Sequence, residues 1–442
     1  MHPALTHAIS VRLGGRVAAR CAALHPVVVH AALWTMTLLP AAAGASVGAL
    51  YGVSAASIGR AGQSAATPEG DATTFHNVAA LASTDGSVRL GFVTALHAIA
   101  LDARCSGPTC IAARRPAPTQ SLSAGWAGKV HRRVGLGVTF STPAGELVRI
   151  SAPDPRRPHL PTLEGPADQF ALFAGLGARV LPWLELGVGA QVRARIASAV
   201  QLDLDPINRT VDRADVQIHL GPTFSAVAGL RIHGPSATMV AVSWHQRAGV
   251  PYDIPAQLGL DGVGAVHLRL AQVAHTTPHT LQFAVAWRGP TIELEAGLRW
   301  ALWARVQGLG PDLSSDVRGG LIDGVGLGRV ADIDAPASAW VPTLRDTVSP
   351  GVSVRWTARP SLILRGGWRF RPSPFPPATA TAAMLDSDAH VVAGGLSLHI
   401  AAWELGVGGQ VWLWRRRATR SGPIAEHGGT TVVGSADLSR HF

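Results

Sequence analysis

The sequence predicts an all-β transmembrane protein, an antiparallel outer-membrane β-barrel of about 14 strands. Apolar and polar side chains alternate with a two-residue period in four segments: Trp183 to Ile196, Thr291 to Trp303, Ser361 to Arg371 and Trp403 to Leu413. Each segment is longer than the roughly five or six residues of an average strand. The chain also ends on an aromatic residue, Phe442, which we interpret as a signal for the barrel assembly machinery.

Composition agrees with this fold class and argues against nucleic acid as a partner. Only 15% of the 442 residues are charged and 49 are glycine, whereas a soluble protein of this size normally carries more charge. The net charge of +10 comes from arginine scattered along the chain, and Lys129 is the only lysine. A nucleic-acid footprint would instead cluster its basic residues on one face.

Residues 1–45 are expected to be a signal peptide. The apolar run Val27 to Pro40 follows three arginines and ends at Ala43-Gly44-Ala45, a small-x-small cleavage pattern. The alternative, a membrane anchor helix, is disfavoured because the run is shorter than the roughly 20 residues that a helical span needs. Export predicts a disulfide between Cys105 and Cys110, with two free thiols as the alternative.

The remaining chain divides into a first segment, residues 46–84, and a barrel, residues 85–442. The first segment is rich in Ala, Ser and Gly and does not alternate. Turn-forming sequences then join strands in pairs at His131-Arg132, Leu181-Pro182, His233-Gly234-Pro235, Arg288-Gly289-Pro290, Arg359-Pro360 and near Ile400. Longer polar or Pro-rich loops are expected at about 102–118, 142–166, 198–214, 248–277, 305–348, 372–387 and 414–428. Short turns at one end and long loops at the other are typical of an even-numbered barrel.

A soluble β-sandwich would alternate in the same way, but two features disfavour it. Glu and Arg occupy the polar side deep within the long strands. Tryptophans fall near strand ends, where the interfacial girdle of a membrane barrel is expected. They are Trp183, Trp287, Trp300, Trp303, Trp356, Trp403, Trp412 and Trp414.

Two groups of motifs resemble a known family of membrane proteins. Leu50 to Gly62, LYGVSAASIGRAG, and Asp71 to Leu81, DATTFHNVAAL, are similar to an N-terminal plug with G-R-A-x-x-G, acidic and N-P-A runs. Arg365 to Pro376, followed by Leu385 to His390, resembles the penultimate hairpins of the same proteins. The family is the FadL-like outer-membrane transporters of long-chain fatty acids and hydrocarbons. One departure is Asn77-Val78-Ala79 in place of N-P-A, because the loss of proline frees φ at that position.

The resemblance implies a barrel of about fourteen strands closed by a small helical hatch in the lumen, made from residues 46–84, with an inward kink in an early strand that opens the wall sideways. In this chain the kink is expected where Val134 to Phe140 runs into Pro143 and Gly145, because proline cannot donate to the ladder and glycine weakens it. The alternative is a strand that simply ends in a loop. By the same resemblance, the candidate ligand-binding residues are Gly59, Arg60, Asp71, Asn77, Arg365 and Arg369.

The function that the resemblance implies is passive uptake of long-chain fatty acids or related hydrocarbons across the outer membrane of a Gram-negative bacterium. Each methylene costs about 0.8 kcal/mol to expose to water, so a greasy cargo needs an apolar internal groove. A general diffusion pore or structural barrel is the first alternative, and an outer-membrane lipid hydrolase is the second. The chain offers no motif for catalysis, a cofactor or a metal, and a monomer is expected.

Three tryptophans on the lumenal side and one run of arginines each have two possible roles. Trp303, Trp412 and Trp414 either line the apolar groove or, as we favour, anchor the barrel at its interface and loops. Arg415-Arg416-Arg417 follows in a predicted outer loop. It is a candidate contact for lipopolysaccharide phosphates, although such a charge run is more often simply solvated.

The arginines on the polar side of one strand also have two possible roles. Arg365, Arg369 and Arg371 would hold a fatty-acid carboxylate through charge-assisted hydrogen bonds. Alternatively, they pair with inward carboxylates to fill a wide barrel, which is the role we favour. The candidate partners are Glu185, Glu293, Glu295 and Glu404.

Overall fold

The structure is a computed structural model that describes residues 48–103, 116–144, 160–164, 170–205, 210–260, 264–306, 312–319, 333–335, 343–376, 384–419 and 424–442. The predicted signal peptide, both predicted disulfide partners, Cys105 and Cys110, and the predicted kink residue Gly145 lie outside these ranges. All described residues belong to one unit, Ala43–Phe442. Within them, no helix is long and apolar enough to cross a membrane.

Eighteen strands of the described residues form one continuous sheet. They are β1 (Ser87–Ala103), β2 (Thr119–His131), β3 (Val134–Pro143), β4 (Ala171–Leu181), β5 (Leu184–Asp205), β6 (Thr210–His233), β7 (Thr238–His245), β8 (Ala248–Leu260), β9 (Gly264–Thr277), β10 (Thr280–Arg288), β11 (Ile292–Ala301), β12 (Asp312–Arg318), β13 (Ile333–Ala335), β14 (Thr347–Arg359), β15 (Leu362–Arg371), β16 (Ala389–Ile400), β17 (Trp403–Ala418) and β18 (Ile424–His441).

Fourteen of these strands close into an antiparallel barrel. Most pair with the next strand along the chain, but β7 pairs with β10 and β11 pairs with β14. The first strand, β1, pairs with both β2 and β18, and this pairing closes the circle. The remaining strands, β8, β9, β12 and β13, form an extension outside it. The predicted barrel of about 14 strands is therefore confirmed.

The short connections lie where the sequence predicts them, at one end of the barrel. For example, β2 and β3 are joined at Arg132-Arg133, and β16 and β17 at Ala401-Ala402. We call this end the turn end and the opposite end, which carries the long connections, the loop end. The half of the lumen nearest the turn end is called the turn half, and the other is called the loop half.

At the loop end, three predicted loops are wrong for much of their length. β5 and β6 remain paired as far as Asp205 and Thr210, inside the segment 198–214 that was expected to be a loop. The expected loop 248–277 instead contains β8 and β9, and β8 pairs in parallel with the extended part of β5. In 414–428, β17 continues to Ala418 and β18 begins at Ile424. Backbone pairing does not require alternating side chains, so a ladder can continue where the sequence pattern fades.

The outward side chains of the barrel are apolar, whereas many inward ones are polar. Val188 on β5 and Phe224 on β6 are 63% and 68% exposed, while the inward Glu185 and Gln191 of β5 are buried. Hydrocarbon surroundings require this arrangement and a ladder without free edges. Four exposed tryptophans occupy the turn end, in the position predicted for an interfacial girdle: Trp183, Trp287, Trp356 and Trp403.

The hatch fills part of the lumen with short helical turns. They are α1 (Gly48–Tyr51), α2 (Ala55–Ile58), the 3-10 turn η1 (Gly70–Ala72), α3 (Thr73–His76) and the 3-10 turn η2 (Val78–Ser83). The hatch touches opposite walls, because η2 packs against β3 to β6 and α2 packs against β16 to β18. Two more short helices, α4 (Pro161–Glu164) and η3 (Trp303–Arg305), belong to the loop end. The predicted helical hatch is confirmed.

Candidate functional site

Local capping gives the hatch its shape. The Ser57 backbone N–H donates to the Ser54 hydroxyl, and the Ser54 N–H donates to the Ser57 hydroxyl, both at 3.2 Å, in a reciprocal capping box for α2. Asn77 caps η2 by accepting the Ala79 N–H at 3.1 Å. Val78, in the place of the family's proline, is the first residue of η2, where a helix needs no backbone donor. The Asn77 cap therefore maintains this turn without proline.

Glycines on the wall let the hatch backbone approach the barrel strands closely. A Cβ added at Gly135 would lie 1.9 Å from the carbonyl oxygen of Leu81. A Cβ added at Gly367 would lie 2.4 Å from the carbonyl carbon of Arg60. No side chain fits at such separations, so the absence of side chains at these wall positions makes room for the hatch.

Arg60 is fully buried between the hatch and the wall. Its guanidinium lies 3.1 Å from Glu295 and 3.3 Å from Glu293, two inward carboxylates of β11. Glu295 also accepts the backbone N–H groups of Ala65 and Thr67, at 2.7 and 3.1 Å. One wall strand therefore binds both a cation and the main chain of the hatch.

Asp71 and Asn77 attach the hatch to other strands. The carboxylate of Asp71 accepts two hydrogen bonds of 2.7 Å from Arg89 on β1, and Arg89 also lies 3.4 Å from Asp437 on β18. The Asn77 side-chain amide donates to the carbonyl oxygen of Leu230 on β6 at 3.3 Å. The Asp71 contacts are buried and charge-assisted, and the Asn77 contact is directed at the backbone, so together they fix the hatch at several points of the circle.

Glu69 and Arg365 form a further hatch-to-wall ion pair, with a separation of 2.6 Å. Burial alone would raise the pKa of Glu69, but Arg365, followed by Arg355 and Arg60, lowers it to about 2. Arg365 also lies 3.6 Å from Glu404 on β17. Arg365 thus contacts two carboxylates, in agreement with the pairing role that the sequence favoured for lumenal arginines.

A cavity of about 80 Å³ lies in the loop half of the lumen. Its polar wall comes from the ends of β11 and β15, and its apolar wall comes from the hatch, η3 and β17. The side chains that define these walls are Arg299, Arg369, Arg371, Leu50, Trp303 and Trp412. The short helix α4 contributes Thr162, whose hydroxyl donates to Asp386 at 2.6 Å. Apolar and cationic surfaces therefore meet in one partly open cavity.

Two of the three cavity arginines meet no carboxylate within the described part of the chain. Arg371 lies 3.1 Å from Asp386, so its charge is compensated. Arg369 is 5% exposed, its guanidinium carbon lies 5.4 Å from the ring centre of Trp412, and its Nε has no hydrogen-bond partner among the described residues. Arg299 lines the same cavity. An unpaired cation in a desolvated site is costly, and an anion bound there would remove the cost.

The apolar wall is built around Trp412. This side chain is fully buried, and its ring lies 5.2 Å from Tyr51 and 5.5 Å from Trp414. Leu160 and Leu163, on either side of Thr162, belong to the same buried cluster. The interfacial part of the favoured prediction is therefore wrong for Trp412 and Trp414, whereas their cluster with Leu160 and Leu163 agrees with its other part, an anchor for the loops. Both lie at inward positions of β17, and Trp412 packs against Tyr51 of the hatch.

The ligand-binding residues predicted from the sequence separate into two places. Gly59, Arg60, Asp71, Asn77 and Arg365 lie where the hatch meets the wall; a Cβ at Gly59 would be 3.0 Å from the Gly395 Cα. Arg369 lines the cavity, together with Arg299, which the sequence reasoning missed. A signal for Arg299 existed, because it occupies the polar side of the clearest alternating segment. Whether any of these residues binds a ligand stays a prediction.

The expected kink concerns the loop end of β3. This strand remains paired with β4 as far as Ser141 and with β2 as far as Pro143, so its described part contains no interruption. Beyond Ser141 the ladder to β4 ends, while the Ala144 N–H still bonds to the Gln120 carbonyl at 3.1 Å. An opening in the wall after this point stays a prediction.

The three consecutive arginines near the end of β17 do not all face the same way. Arg417 points back into the protein, where it donates to the carbonyl oxygens of Phe375 and Asp386 at 2.8 and 3.0 Å, while Arg415 and Arg416 are exposed. A lipopolysaccharide contact would therefore use only the first two arginines of the run.

Phe442 is 73% exposed. Its role in assembly stays a prediction.

No family model and no curated protein matches the chain. Its structure is similar to that of a FadL homologue from Pseudomonas aeruginosa, with a TM-score of 0.58 and 14% identity over 88% of this chain and 98% of that one. It is also similar to the toluene transporter TodX of P. putida, with a TM-score of 0.58 and 11% identity over 89% of this chain and 99% of the other. For the toluene transporter TbuX of Ralstonia pickettii, the TM-score is 0.50 at 12% identity, over 89% and 99% of the two chains. At these identities the likeness concerns the fold, and it confirms the resemblance predicted from the motifs: the chain has the fold of the FadL-type outer-membrane barrels.

Proposed function

We propose that the protein is a passive route across the outer membrane of a Gram-negative bacterium for hydrophobic molecules, and that it prefers molecules with an acidic end group. Long-chain fatty acids are the simplest compounds of this kind. The fold supports the first part of the proposal, since two of the similar structures are toluene transporters. The cavity residues support the second part.

The observation that carries the preference for an acid is the pair Arg299 and Arg369 beside an aromatic wall. Both guanidinium groups line the cavity and neither has a carboxylate partner among the described residues. A bound carboxylate would supply the missing charge through hydrogen bonds that each contribute about 1.5–3 kcal/mol. The adjoining Trp412 and Leu50 would contact the first methylene groups. A neutral hydrocarbon gains only the second of these interactions.

The size of the cavity suggests how such a ligand lies. At about 80 Å³, it is smaller than the roughly 300 Å³ at which ligand pockets usually begin. It therefore receives the acidic end, and the tail extends toward the loop end past α4 and η3. Onward movement requires either displacement of the hatch or a side exit, for which the end of the β3–β4 ladder near Pro143 and Gly145 is our candidate.

A binding comparison tests the acid preference. Dodecanoic acid and dodecanol have the same chain length and differ in the head group, so we expect the purified protein to bind the acid at least about 10-fold more tightly. Arg369→Gln and Arg299→Gln should each remove most of this preference and leave the affinity for dodecanol unchanged. Arg415→Gln, at an exposed position of β17, is the matched control and should behave like the unaltered protein. Equal affinity for the acid and the alcohol, or an unaffected Arg369→Gln protein, would contradict the assignment.

A transport measurement tests the uptake itself. We expect labelled dodecanoic acid to enter cells that express the protein faster than cells that lack it, and single-channel conductance in planar bilayers to be small. A large and steady conductance would instead favour the general diffusion pore. The hatch contacts in the turn half of the lumen favour the transporter over that pore. The described residues give no specific support to a lipid hydrolase.

A further inference from the structure

Three side chains with metal-binding capacity converge inside the barrel at the turn end. They are His399 on β16, Glu404 on β17 and His441 on β18, all half-buried. His399 and Glu404 are direct cross-strand neighbours in the β16–β17 ladder. The His441 backbone N–H bonds to the Ala402 carbonyl at 2.8 Å, and this bond brings the end of β18 to the same place. Three adjacent strands thus each provide one side chain.

The separations between these groups match those of a metal site. The Oε2 atom of Glu404 lies 3.0 Å from Nε2 of His441 and 3.4 Å from Nε2 of His399, and the possible ligand atoms all lie within 4.8 Å of one another. In a tetrahedral zinc site with bonds of about 2.0–2.1 Å, neighbouring ligand atoms are roughly 3.3 Å apart. A small movement of the side chains would therefore allow all three to bind one ion.

The surroundings hold Glu404 in place and leave His399 under-satisfied. The other carboxylate oxygen, Oε1, lies 3.6 Å from Arg365, so Oε2 is the one that faces the two imidazoles. The side chain of His399 makes no hydrogen bond to any described residue, and its Nδ1 is buried without a partner. A half-buried imidazole held at 3.4 Å from a carboxylate, yet without a hydrogen bond, gains little from the present arrangement.

We propose that His399, Glu404 and His441 bind one divalent transition-metal ion, with Zn²⁺ as the preferred occupant. Two imidazoles and one carboxylate are a ligand set that zinc uses when its fourth position is open to water. Nickel and copper ions would also bind, because imidazole suits them and the site imposes little selectivity. The spacing of the residues along the chain predicted no metal, since the two later ligands are 37 residues apart.

The position of the ion suggests what it does. It would tie together the last three strands beside the seam where β18 meets β1, which closes the barrel. Glu404 also contacts Arg365, the wall partner of Glu69 in the hatch. A bound ion would therefore stiffen both the β18–β1 seam and the Arg365–Glu69 pair that holds the hatch, because Glu404 is linked to both. This role does not depend on which molecule the barrel transports.

Titration of the full-length, tag-free protein with Zn²⁺ after removal of metal by a chelator tests the site. We expect one ion per chain with a dissociation constant in the micromolar range or below, and Co²⁺ should give the visible absorption of tetrahedral coordination. Loss of an outer-shell partner weakens metal sites by about 10–100-fold, so His399→Ala and His441→Ala, which remove a ligand, should each weaken binding by more than about 100-fold. His131→Ala removes an exposed histidine at the same end of the barrel and should leave binding unchanged.

The design separates loss of the site from loss of the fold. His399→Gln and His441→Gln retain much of the side-chain volume and should lose the ion while the heat-modifiable mobility of the folded barrel persists. Absence of stoichiometric binding by the unaltered protein would overturn the proposal. So would binding that survives in both histidine variants, or that falls equally in His131→Ala.

Discussion

The two halves of the lumen are built on opposite rules. In the turn half, buried charges are compensated: Arg60 meets Glu293 and Glu295, and Arg365 meets Glu69 and Glu404. In the loop half, two cavity arginines have no carboxylate partner within the described residues, and aromatic rings replace the glycines that line the hatch. The buried carboxylates named in the turn half thus meet cations of the protein itself, whereas two cations of the loop half are left to be paired by something that enters.

This difference follows from what each half must do. A seal is more stable when its buried charges have partners inside the protein. A binding site must keep some groups unsatisfied until the ligand arrives, and the hatch residues around it provide the rigidity that holds them in place. The comparison therefore predicts large effects from changes in the turn half on stability, and smaller effects from changes in the loop half.

The largest effect is expected when Arg60 is replaced by methionine. This change leaves Glu293 and Glu295 buried beside the hatch without their central cation. Breaking a buried ion pair on one side costs about 3–5 kcal/mol, and we expect this loss of unfolding free energy in denaturant titrations of the protein in micelles. The hatch should also become sensitive to protease.

The exposed pair Lys129–Asp85 provides the control for that experiment. Its separation is 3.2 Å, similar to that of the Arg60 pairs, but its side chains are 41% and 90% exposed. Lys129→Met should cost no more than about 1 kcal/mol. Equal losses in the two variants would show that burial does not distinguish the hatch contacts.

A smaller loss of stability is expected when a single methyl group is added where the hatch backbone contacts β3. In Gly135→Ala, the added Cβ would lie 1.9 Å from the Leu81 carbonyl oxygen, so the hatch must shift. Overpacking of this kind costs about 1–3 kcal/mol, and limited proteolysis of the hatch should accelerate. Gly221→Ala is the matched control, because its Cβ meets nothing within 4 Å. Identical proteolysis of the two variants would contradict the close approach.

The last effect appears only at acidic pH. The folded pKa of Glu69 is about 2, compared with an ordinary value of 4.5, so between these values the unfolded chain binds a proton that the folded protein does not. Stability should therefore fall as the pH drops from about 4.5 to 2, and Glu69→Gln should flatten this part of the curve in thermal unfolding.

His76 affects stability over a different pH range from Glu69. Burial, with smaller contributions from His245 and nearby arginines, lowers the pKa of His76 to about 3 from 6.5. Its stability contribution is also lost as the pH falls, but the loss begins near pH 6.5. Glu69→Gln should leave the slope between about pH 6.5 and 4.5 intact. A change confined to that upper interval would contradict the assignment to Glu69.

The strands and turns were predictable because their signals are local. Alternation over Thr291 to Trp303 and turn residues such as Gly289-Pro290 depend only on neighbours in the chain. The hatch contacts were not predictable in the same way. Glu295 accepts the N–H groups of Ala65 and Thr67, which precede it by 230 and 228 residues, and no local pattern relates them.

For two tryptophans, the alternation along the strand gave the correct side, but we gave more weight to the preference of tryptophan for membrane interfaces. Trp412 and Trp414 share the parity of Glu404 and Gln410 on β17, and that parity places them inside the barrel. The preference of tryptophan for membrane interfaces pointed outward instead, and it was correct for Trp403. Strand geometry is the stronger constraint, because a side chain cannot change faces without a shift of the whole register.

Photocrosslinking with a fatty acid that carries a photoreactive group near its carboxyl end tests the central comparison most directly. We expect labelled peptides from the loop half of the lumen, around Leu50, Trp303 and Trp412, with labelling suppressed by excess dodecanoic acid. We expect no specific labelling around Glu185 or Glu295 in the turn half. Specific labelling of the turn half, or none in the cavity, would contradict the division of the lumen into a seal and a binding site.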